Sequence, residues 1–210
     1  ERIESVISEV ACAMPFDCVI GDYRFSNGRK AQATFMTVDE NVSDFMHFNL
    51  LHGRLFTKND LSSNASVCIV DSSIAEFGYK RSDIVGKKIT LTKENMTNTY
   101  TIIGVINSQL NGVLGLLGTE SPGIIYIPYN ASALYPNSEV GQLALKLHDG
   151  SNSEAVYASV SALLKRTNQN YYNFTIENIT GYRDSLDVVL DSVTYVLSAT
   201  AAVSLVVAGI

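Results

Sequence analysis

The sequence predicts an α+β domain attached to a membrane, and three observations lead to this prediction. Short segments with the alternating pattern of β-strands recur along the chain. Helical periodicity appears near the beginning, over residues 151–164 and towards the end. The final stretch, residues 192–210, contains no charged residue, and a bilayer core needs ~20 apolar residues in helical form. We therefore expect a truncated transmembrane helix there, with a buried core helix as the alternative.

The composition is that of a folded chain. Hydrophobic residues make up 46% and charged residues 17% of the 210 positions, which argues against a disordered protein and allows one or two compact units. The formal net charge is −6, and the sequence shows no basic cluster or stripe. Nucleic acid is therefore not an expected partner.

Three cysteines, Cys12, Cys18 and Cys68, are too few for a disulfide framework. Cys12 and Cys18 could close a small loop in an oxidising compartment. The alternative is that all three are isolated small hydrophobic residues of the core.

The chain opens on a predicted helix over residues 1–15, which Pro15 ends. Its apolar positions follow helical spacing. They are Ile3, Val6, Ile7 and Val10.

A β-hairpin is predicted next. Residues 16–25 and 30–38 have strand patterns, and the Asn-Gly pair at 27–28 between them is a strong turn signal. Asp39 is a candidate cap for a short helix, which we expect to present Val42 and Phe45 and to end near Gly53.

Short β segments dominate the middle of the chain. They are predicted at residues 66–70, 87–93, 99–106 and 123–128. Asp71 is expected to cap a helical turn after the first of them. A long, apolar and glycine-rich loop lies between Asn107 and Gly123, and loops of this length are usually functional or mobile.

A second strand-helix-strand unit follows. Residues 143–147 alternate as a strand, Ser151 and Glu154 form a capping box for a helix, and Phe174 and Ile176 alternate in the next strand. The last helix begins near Thr180 and continues without a break into the apolar tail. Its apolar side carries Leu186, Val189, Leu190 and Val193.

The sequence shows no constellation that points to catalysis, and no cofactor or metal is expected. His47 and His52 are five residues apart, which does not place two ligands on one helix face. The glycines at 112, 115 and 118 lack the Lys-Ser/Thr pair of a phosphate-binding loop. A hydrolase would need a base beside Ser72 or Ser73, and none can be named. These features favour a domain that binds or transmits motion.

An ordered series of motifs spans nearly the whole chain. It comprises residues 35–45, Gly53-Arg54-Leu55-Phe56 with Asp60 behind it, and residues 67–71, 84–89, 100–105, 125–129 and 203–210. With these motifs the chain resembles the extracytoplasmic domain of MacB-type ABC transporter permeases, in the broader group that includes lipoprotein-releasing and FtsX-like permeases.

The resemblance implies a porter-like subdomain of two βαβ-type units, split by an inserted, mostly β subdomain and flanked by stalk helices. The implied segments are 1–15 (N-terminal stalk), 16–55 and 140–180 (the two porter-like parts), 56–139 (the insertion), and 181–210 (C-terminal stalk and truncated transmembrane helix). Residues 3, 6, 7, 10, 186, 189, 190 and 193 would be the packing faces of the stalks.

The leading hypothesis is a non-catalytic extracytoplasmic domain of an ABC permease at a bacterial cell membrane, which transmits ATP-driven motion and docks substrate or partner proteins. The resemblance implies an ABC ATPase, a second permease copy, and an adaptor or an exported peptide or lipid as partners. The alternative is a membrane-tethered sensory or peptide-binding receptor. Its ligand would then dock on the apolar loop, at Val113, Leu114, Leu116 and Leu117.

Overall fold

The computed structural model describes residues 3–93, 96–107, 123–131, 141–167 and 175–177. The chain forms two compact units, Glu1–Asp149 and Gly150–Ile210. The strands of the first unit are β1 (Val10–Phe25), β2 (Lys30–Val38), β3 (Asn49–Gly53), β4 (Val67–Asp71), β5 (Lys88–Lys93), β6 (Met96–Asn107), β7 (Ile124–Pro128) and β8 (Gln142–Leu147). Its helices are α1 (Val42–Phe45), α2 (Lys58–Ser62) and α3 (Ser72–Tyr79), with 3₁₀ turns at Ile3–Ser5 and Tyr129–Ala131. The second unit contains α4 (Ser153–Thr167).

Six strands of the first unit pair in a closed ring. The order is β1-β2-β7-β4-β6-β5, and β5 pairs again with β1. The β2–β7 and β4–β6 pairs are parallel, and the other four are antiparallel. Every strand of the ring contributes alternate side chains to one buried cluster, as the two-residue period of a strand requires. The largest of them, fully shielded from solvent, include Phe25, Phe35, Leu91, Tyr100 and Ile125.

β1 belongs to two sheets. Its first part, residues 10–16, pairs with β8, and residues 17–24 pair with β2 in the ring. A second buried cluster lies beside the ring, and Met14 of β1, Met36 of β2 and Val42 of α1 are among its members. β2 therefore has buried residues on both faces at its end, where Phe35, Met36, Thr37 and Val38 are all buried in succession.

The structure confirms the α+β class and most of the predicted strands. The Asn-Gly turn is present, closed by the hydrogen bond from the Phe25 N–H to the Arg29 carbonyl. The Asp71 side chain caps α3 by accepting from the Ser73 N–H. These elements have strong local signals, and their tertiary contacts agree with them.

The predicted N-terminal helix over residues 1–15 is wrong. Residues Ile3–Ser5 form a single 3₁₀ turn, and β1 already begins at Val10. The apolar spacing fits a helix, but residues 10–16 gain a full ladder of hydrogen bonds by pairing with β8. Tertiary pairing overrides the local periodicity in this segment.

Three smaller predictions also need correction. The short helix after Asp39 ends at Phe45, its N-cap is Asn41, and the chain re-enters a strand before Gly53. The side chain that accepts the first N–H groups of α4 belongs to Asn152, not Ser151. A loop closed by Cys12 and Cys18 is excluded, because both lie on β1 and six residues of strand span ~20 Å, too far for a disulfide.

The predicted boundary at residue 56 does not separate two sheets. β2 lies before it and β7 after it, yet the two are paired. Likewise, β1 pairs with β5. The division into porter-like and inserted subdomains stays a prediction.

Several predicted features lie outside the described residues. They are the docking residues Val113, Leu114, Leu116 and Leu117, the C-terminal stalk residues Leu186, Val189, Leu190 and Val193, and the apolar tail. Among the helices that the structure does describe, none has the length and apolar character to cross a membrane.

Candidate functional site

The N-terminal segment is the part of the predicted stalk that the structure describes. The Ile7 N–H donates to the Ile3 carbonyl at 2.9 Å, and the Val10 N–H donates to the Ile7 carbonyl at 3.1 Å. Ile7 and Val10 are buried, whereas Val6 is 44% exposed and Ile3 is half-buried. Two of the four predicted stalk residues are therefore anchored in the domain, and Val6 is available for other contacts.

Polar bonds fix this segment to the sheet of β1 and β8. The Glu4 carboxylate accepts from the Ala13 N–H at 2.8 Å. The Glu9 carbonyl accepts from the His148 N–H at 2.9 Å. Val10 is paired with Leu147 in the β1–β8 ladder. Residues 3–9 are therefore bonded directly to β1 and to the end of β8.

A polar cleft lies beside this attachment. Its volume is about 370 Å³, and it is lined by Glu4, Ala11, Cys12, Asn41, Asp44 and Lys146. The Lys146 ammonium donates to the Asp44 carbonyl at 3.1 Å, and the Asn41 amide donates to the Ala13 carbonyl at 3.2 Å. These bonds tie α1 to β1 and β8 around the cleft.

Cys12 is the residue lining this cleft whose side chain has the chemistry of a nucleophile. Burial raises the pKa of its thiol, and the negative charges of Asp44 and Glu4 raise it further. Because the thiolate is the reactive form of cysteine, these surroundings suppress its reactivity. The bonds around the cleft hold α1, β1 and β8 together.

β1 connects this attachment to the ring. The strand runs through 16 residues, and at 3.3 Å per residue it is ~50 Å long. β8 holds residues 10–16, and β2 and β5 hold residues 17–25. One continuous strand therefore takes part in both sheets.

The motif Gly53-Arg54-Leu55-Phe56 forms a polar clasp with Asp60. The Arg54 guanidinium donates to both oxygens of the Asp60 carboxylate, at 2.5 and 2.9 Å. The side chain of Thr57, the N-cap of α2, accepts from the Asp60 N–H, and Asp60 accepts from the Thr57 N–H. Asp60 is only 5% exposed. The Arg54 guanidinium holds the pKa of the Asp60 carboxyl well below its usual range, although burial acts in the opposite direction. The clasp fixes the chain between β3 and α2.

Replacing Asp60 by Asn is expected to lower the free energy of unfolding by about 2 kcal/mol at neutral pH, because a charge-assisted bond to Arg54 and part of the α2 cap are lost. The folded pKa of Asp60 is lowered, so its stabilisation is fully present above the unfolded pKa of about 4 and is lost as the pH falls towards the folded pKa. The variant should therefore lose less stability than the wild type on acidification below pH ~4.

Urea unfolding from pH 2.5 to 7 measures this difference. Glu76→Gln, which removes an exposed carboxylate of α3, serves as the charge-matched control. Equal acid dependence in Asp60→Asn and wild type would show that the clasp contributes no pH-dependent stability.

The structure brings one histidine and one serine together. His52 Nε2 lies 2.9 Å from Ser82 Oγ, on β3 and on the loop before β5. Ser73, one of the two serines weighed as nucleophiles, has its N–H bound in the α3 cap. No group of three potential metal ligands occurs within the part of the chain that the structure describes.

Sequence reasoning missed the contacts that hold the N-terminal segment. Glu4 and Ala13 are nine residues apart, and Lys146 lies 102 residues from Asp44. No local pattern links such positions. The clasp did have a local signal, because Thr57 and Asp60 have the spacing of a capping box.

Comparison with known proteins adds independent findings. The model of the MacB-like periplasmic core domain family matches residues 1–163. The macrolide export ATP-binding/permease protein MacB of Neisseria gonorrhoeae is 26% identical over 205 residues, which cover 97% of this chain and 30% of that protein. The pyoverdine export ATP-binding/permease protein PvdT of Pseudomonas putida is 24% identical over 174 residues, covering 80% of this chain and 25% of that protein. The chain thus spans less than a third of the length of these relatives.

Two solved structures share the fold. The periplasmic region of MacB from Actinobacillus actinomycetemcomitans superposes with a TM-score of 0.67 at 21% identity, covering 87% of this chain and 78% of that one. The extracellular domain of the transporter YknZ from Gram-positive bacteria gives a TM-score of 0.64 at 14% identity, covering 82% and 83%. Both are domains that lie outside the cytoplasm, by their names.

Proposed function

The chain belongs to the family of MacB-like periplasmic core domains, and on this premise we propose that it is the extracytoplasmic domain of an ABC-type export permease that transmits motion driven by ATP. The domain performs no catalysis of its own. The observation that carries the proposal is the attachment of residues 3–10 to β1, which runs on into both sheets of the first unit.

The partners of the domain follow from the same premise. MacB and PvdT are named as ATP-binding/permease proteins, so we place an ABC ATPase elsewhere in the polypeptide or on another subunit. A second permease copy completes the transporter, which lies in the cell membrane of a bacterium with this domain on the extracytoplasmic side. An adaptor protein or an exported peptide or lipid docks on the domain.

The strand geometry explains how motion could pass through the domain. A ladder of backbone hydrogen bonds resists sliding of one strand along another, because every bond of the register would have to break together. β1 shares such ladders with β8 and with β2. Force applied at Ile7 and Val10, which are buried, therefore moves the ring as a body and does not extend the chain locally.

The finer architecture belongs to the same proposal. One part of it is the division into porter-like and inserted subdomains at residues 55 and 140. The other part is a contact between the two stalks, at residues 3–10 and 186–193. The receptor alternative depends on residues 113–117, which lie outside the described part of the chain. It stays a prediction of the sequence.

Insertion of two glycines between Ser8 and Glu9 tests the proposal. The insertion adds a flexible joint between the 3₁₀ turn and β1. In the intact transporter, export is expected to fall on the order of tenfold or more while ATPase activity stays within about twofold, since glycine linkers transmit little force. Export and ATP hydrolysis are measured on the same reconstituted preparation.

The same insertion between Ser63 and Asn64 is the control. Both residues are exposed in the loop after α2, where insertions are usually tolerated. Export that survives the insertion after Ser8, or that is lost equally in both variants, would overturn the coupling role of the N-terminal segment.

A further inference from the structure

Basic residues that are separated in the sequence meet at one end of the ring. We name this surface the basic cap. It comprises Arg24, Arg29, Lys30, Lys80, Arg81, Lys87 and Lys88, all of which are exposed. They come from the β1–β2 hairpin, the end of α3 and the start of β5. The sequence shows no basic run because the fold, not the chain order, assembles the cap.

The strand register brings three basic residues of the cap together on one face. Arg24 of β1 lies directly opposite Lys30 of β2 and opposite Thr90 of β5. Lys88 is two residues from Thr90 on the same strand and therefore points to the same face. Directly opposed residues of an antiparallel pair have Cβ atoms ~5 Å apart. Arg24, Lys30 and Lys88 thus form one exposed group.

Hydrogen bonds join the hairpin to the end of α3. The Arg29 guanidinium donates to the Phe77 carbonyl at 2.5 Å, and the Asn27 amide donates to the Gly78 carbonyl at 2.9 Å. The Ser26 hydroxyl lies 3.0 Å from the Tyr79 hydroxyl. The Lys87 ammonium stands 5.9 Å from the centre of the Tyr79 ring. These contacts hold the cap as one preformed surface.

The charge of the cap is opposite to that of the rest of the domain. Residues 22–30 and 76–88 contain seven basic residues and three acidic ones, Asp22, Glu76 and Asp83, whereas the whole chain has 15 basic and 21 acidic residues. Such asymmetry creates a local positive potential on a negatively charged molecule. An anionic partner is steered to this end and repelled from the remainder.

Two exposed apolar side chains neighbour cap residues, Phe77 through the bond from Arg29 to its carbonyl and Val85 by its place in the chain before Lys87. Phe77, on α3, and Val85, in the loop before β5, are each 40% exposed. The aromatic ring of Phe77 makes an edge-to-face contact with that of Tyr23, with ring centres 6.2 Å apart. Aromatic residues and arginine are enriched in protein interfaces, and Phe77 and Arg29 are neighbours here. A simple polyanion would make no use of the apolar groups.

We propose that the basic cap is a docking surface for an acidic protein, with Phe77 as its apolar anchor. The partner presents a patch rich in Asp and Glu around a small apolar recess. β1 runs from the N-terminal segment to the cap over Val10–Phe25, a contour length of ~50 Å. The inference depends on the fold and not on the proposed transport role, and it would stand if the coupling proposal failed.

Photo-crosslinking in the native host tests the proposal. A benzophenone amino acid replaces Phe77 in the full-length protein, and the cross-linked product is identified by mass spectrometry and then purified for binding measurements. The expected product is a protein with an acidic contact surface. In the triple variant Lys30→Glu, Lys87→Glu and Lys88→Glu, its affinity is expected to fall on the order of tenfold, with a weaker salt dependence than in the wild type.

A matched control has the same change of charge at three residues that are not members of the cap. It carries Lys58→Glu, Lys165→Glu and Arg166→Glu, which alter exposed residues of α2 and α4, and it should bind like the wild type. A neutral variant with glutamine at positions 30, 87 and 88 should bind with intermediate affinity, and circular dichroism establishes that all variants are folded.

Three results would overturn the proposal. They are the absence of a cross-linked protein, equal loss of binding in the control variant, and binding of inorganic polyphosphate or anionic phosphatidylglycerol vesicles that is as tight as that of the protein and equally sensitive to the triple variant. The last result would identify the cap as a site for polyanions or lipid.

Discussion

Gly53→Ala is expected to lower the free energy of unfolding by about 4 kcal/mol, a large part of the ~5–15 kcal/mol by which folded domains are stable. Gly53 has a φ of +81°, which costs a residue with a Cβ atom about 1–2 kcal/mol. An added Cβ would also collide with the Ile103 carbonyl oxygen on β6 and lie 3.0 Å from the Gly104 Cα. Because backbone atoms cannot rotate away, β3 and β6 would have to separate, and overpacking of this kind costs about 1–3 kcal/mol more.

Gly86→Ala is the matched control for this prediction. Gly86 has the same φ of +81°, but nothing lies within 4 Å of the position where its Cβ would stand. Only the conformational cost of about 1–2 kcal/mol is expected there. Urea unfolding of both variants measures the difference. Equal losses would show that backbone conformation alone, and not the approach of β3 to β6, determines the requirement for glycine.

Most strands of the ring could be predicted because their local signals are strong. β4 and β7 are short apolar runs, and β5 and β6 show an alternating pattern. Their positions follow from a two-residue period that any strand with one buried face must show. The closure of the ring could not be predicted, because it depends on which strands pair. The parallel pair of β2 with β7 joins segments about 90 residues apart, and no local pattern specifies such a pairing.

The N-terminal segment shows why local periodicity can mislead. Residues 3, 6, 7 and 10 fit a helix face, yet Val10 begins a strand because β8 supplies its hydrogen-bond partners. A pattern of four residues is compatible with either structure until the partner strand is known. The same reasoning applies to function, since the attachment of Glu4 to Ala13 exists only once β1 is extended.

The basic cap is a further case in which the fold creates what the sequence does not show. Arg24 and Lys88 are far apart in the chain and become neighbours through Thr90. A charge pattern along the sequence detects only runs and helix faces. The clasp of Arg54 and Asp60, in contrast, is contained within six residues and could be recognised from its motif and its capping spacing.

Tyr100→Ala is expected to destabilise the protein by about 4 kcal/mol, because removal of a large, fully enclosed aromatic side chain leaves a cavity. Tyr100 is completely buried in the ring, and the closed set of strands around it limits how far the walls can collapse. For a chain of this length the midpoint of thermal unfolding should fall by roughly 10–15 °C. Calorimetry or thermal melting followed by circular dichroism measures the change.

Tyr100→Phe separates the contribution of the aromatic side chain from the contribution of its hydroxyl. The hydroxyl donates to the Ala131 carbonyl at 3.2 Å and accepts from the Asn98 amide at 3.1 Å. Its removal leaves the buried Ala131 carbonyl and the half-buried Asn98 amide each without one partner and should cost only about 1–2 kcal/mol. If Tyr100→Ala were no more destabilising than Tyr100→Phe, the interior of the ring would have to rearrange and fill the cavity. That result would contradict a rigid, closed ring, which the proposed transmission of motion along β1 requires.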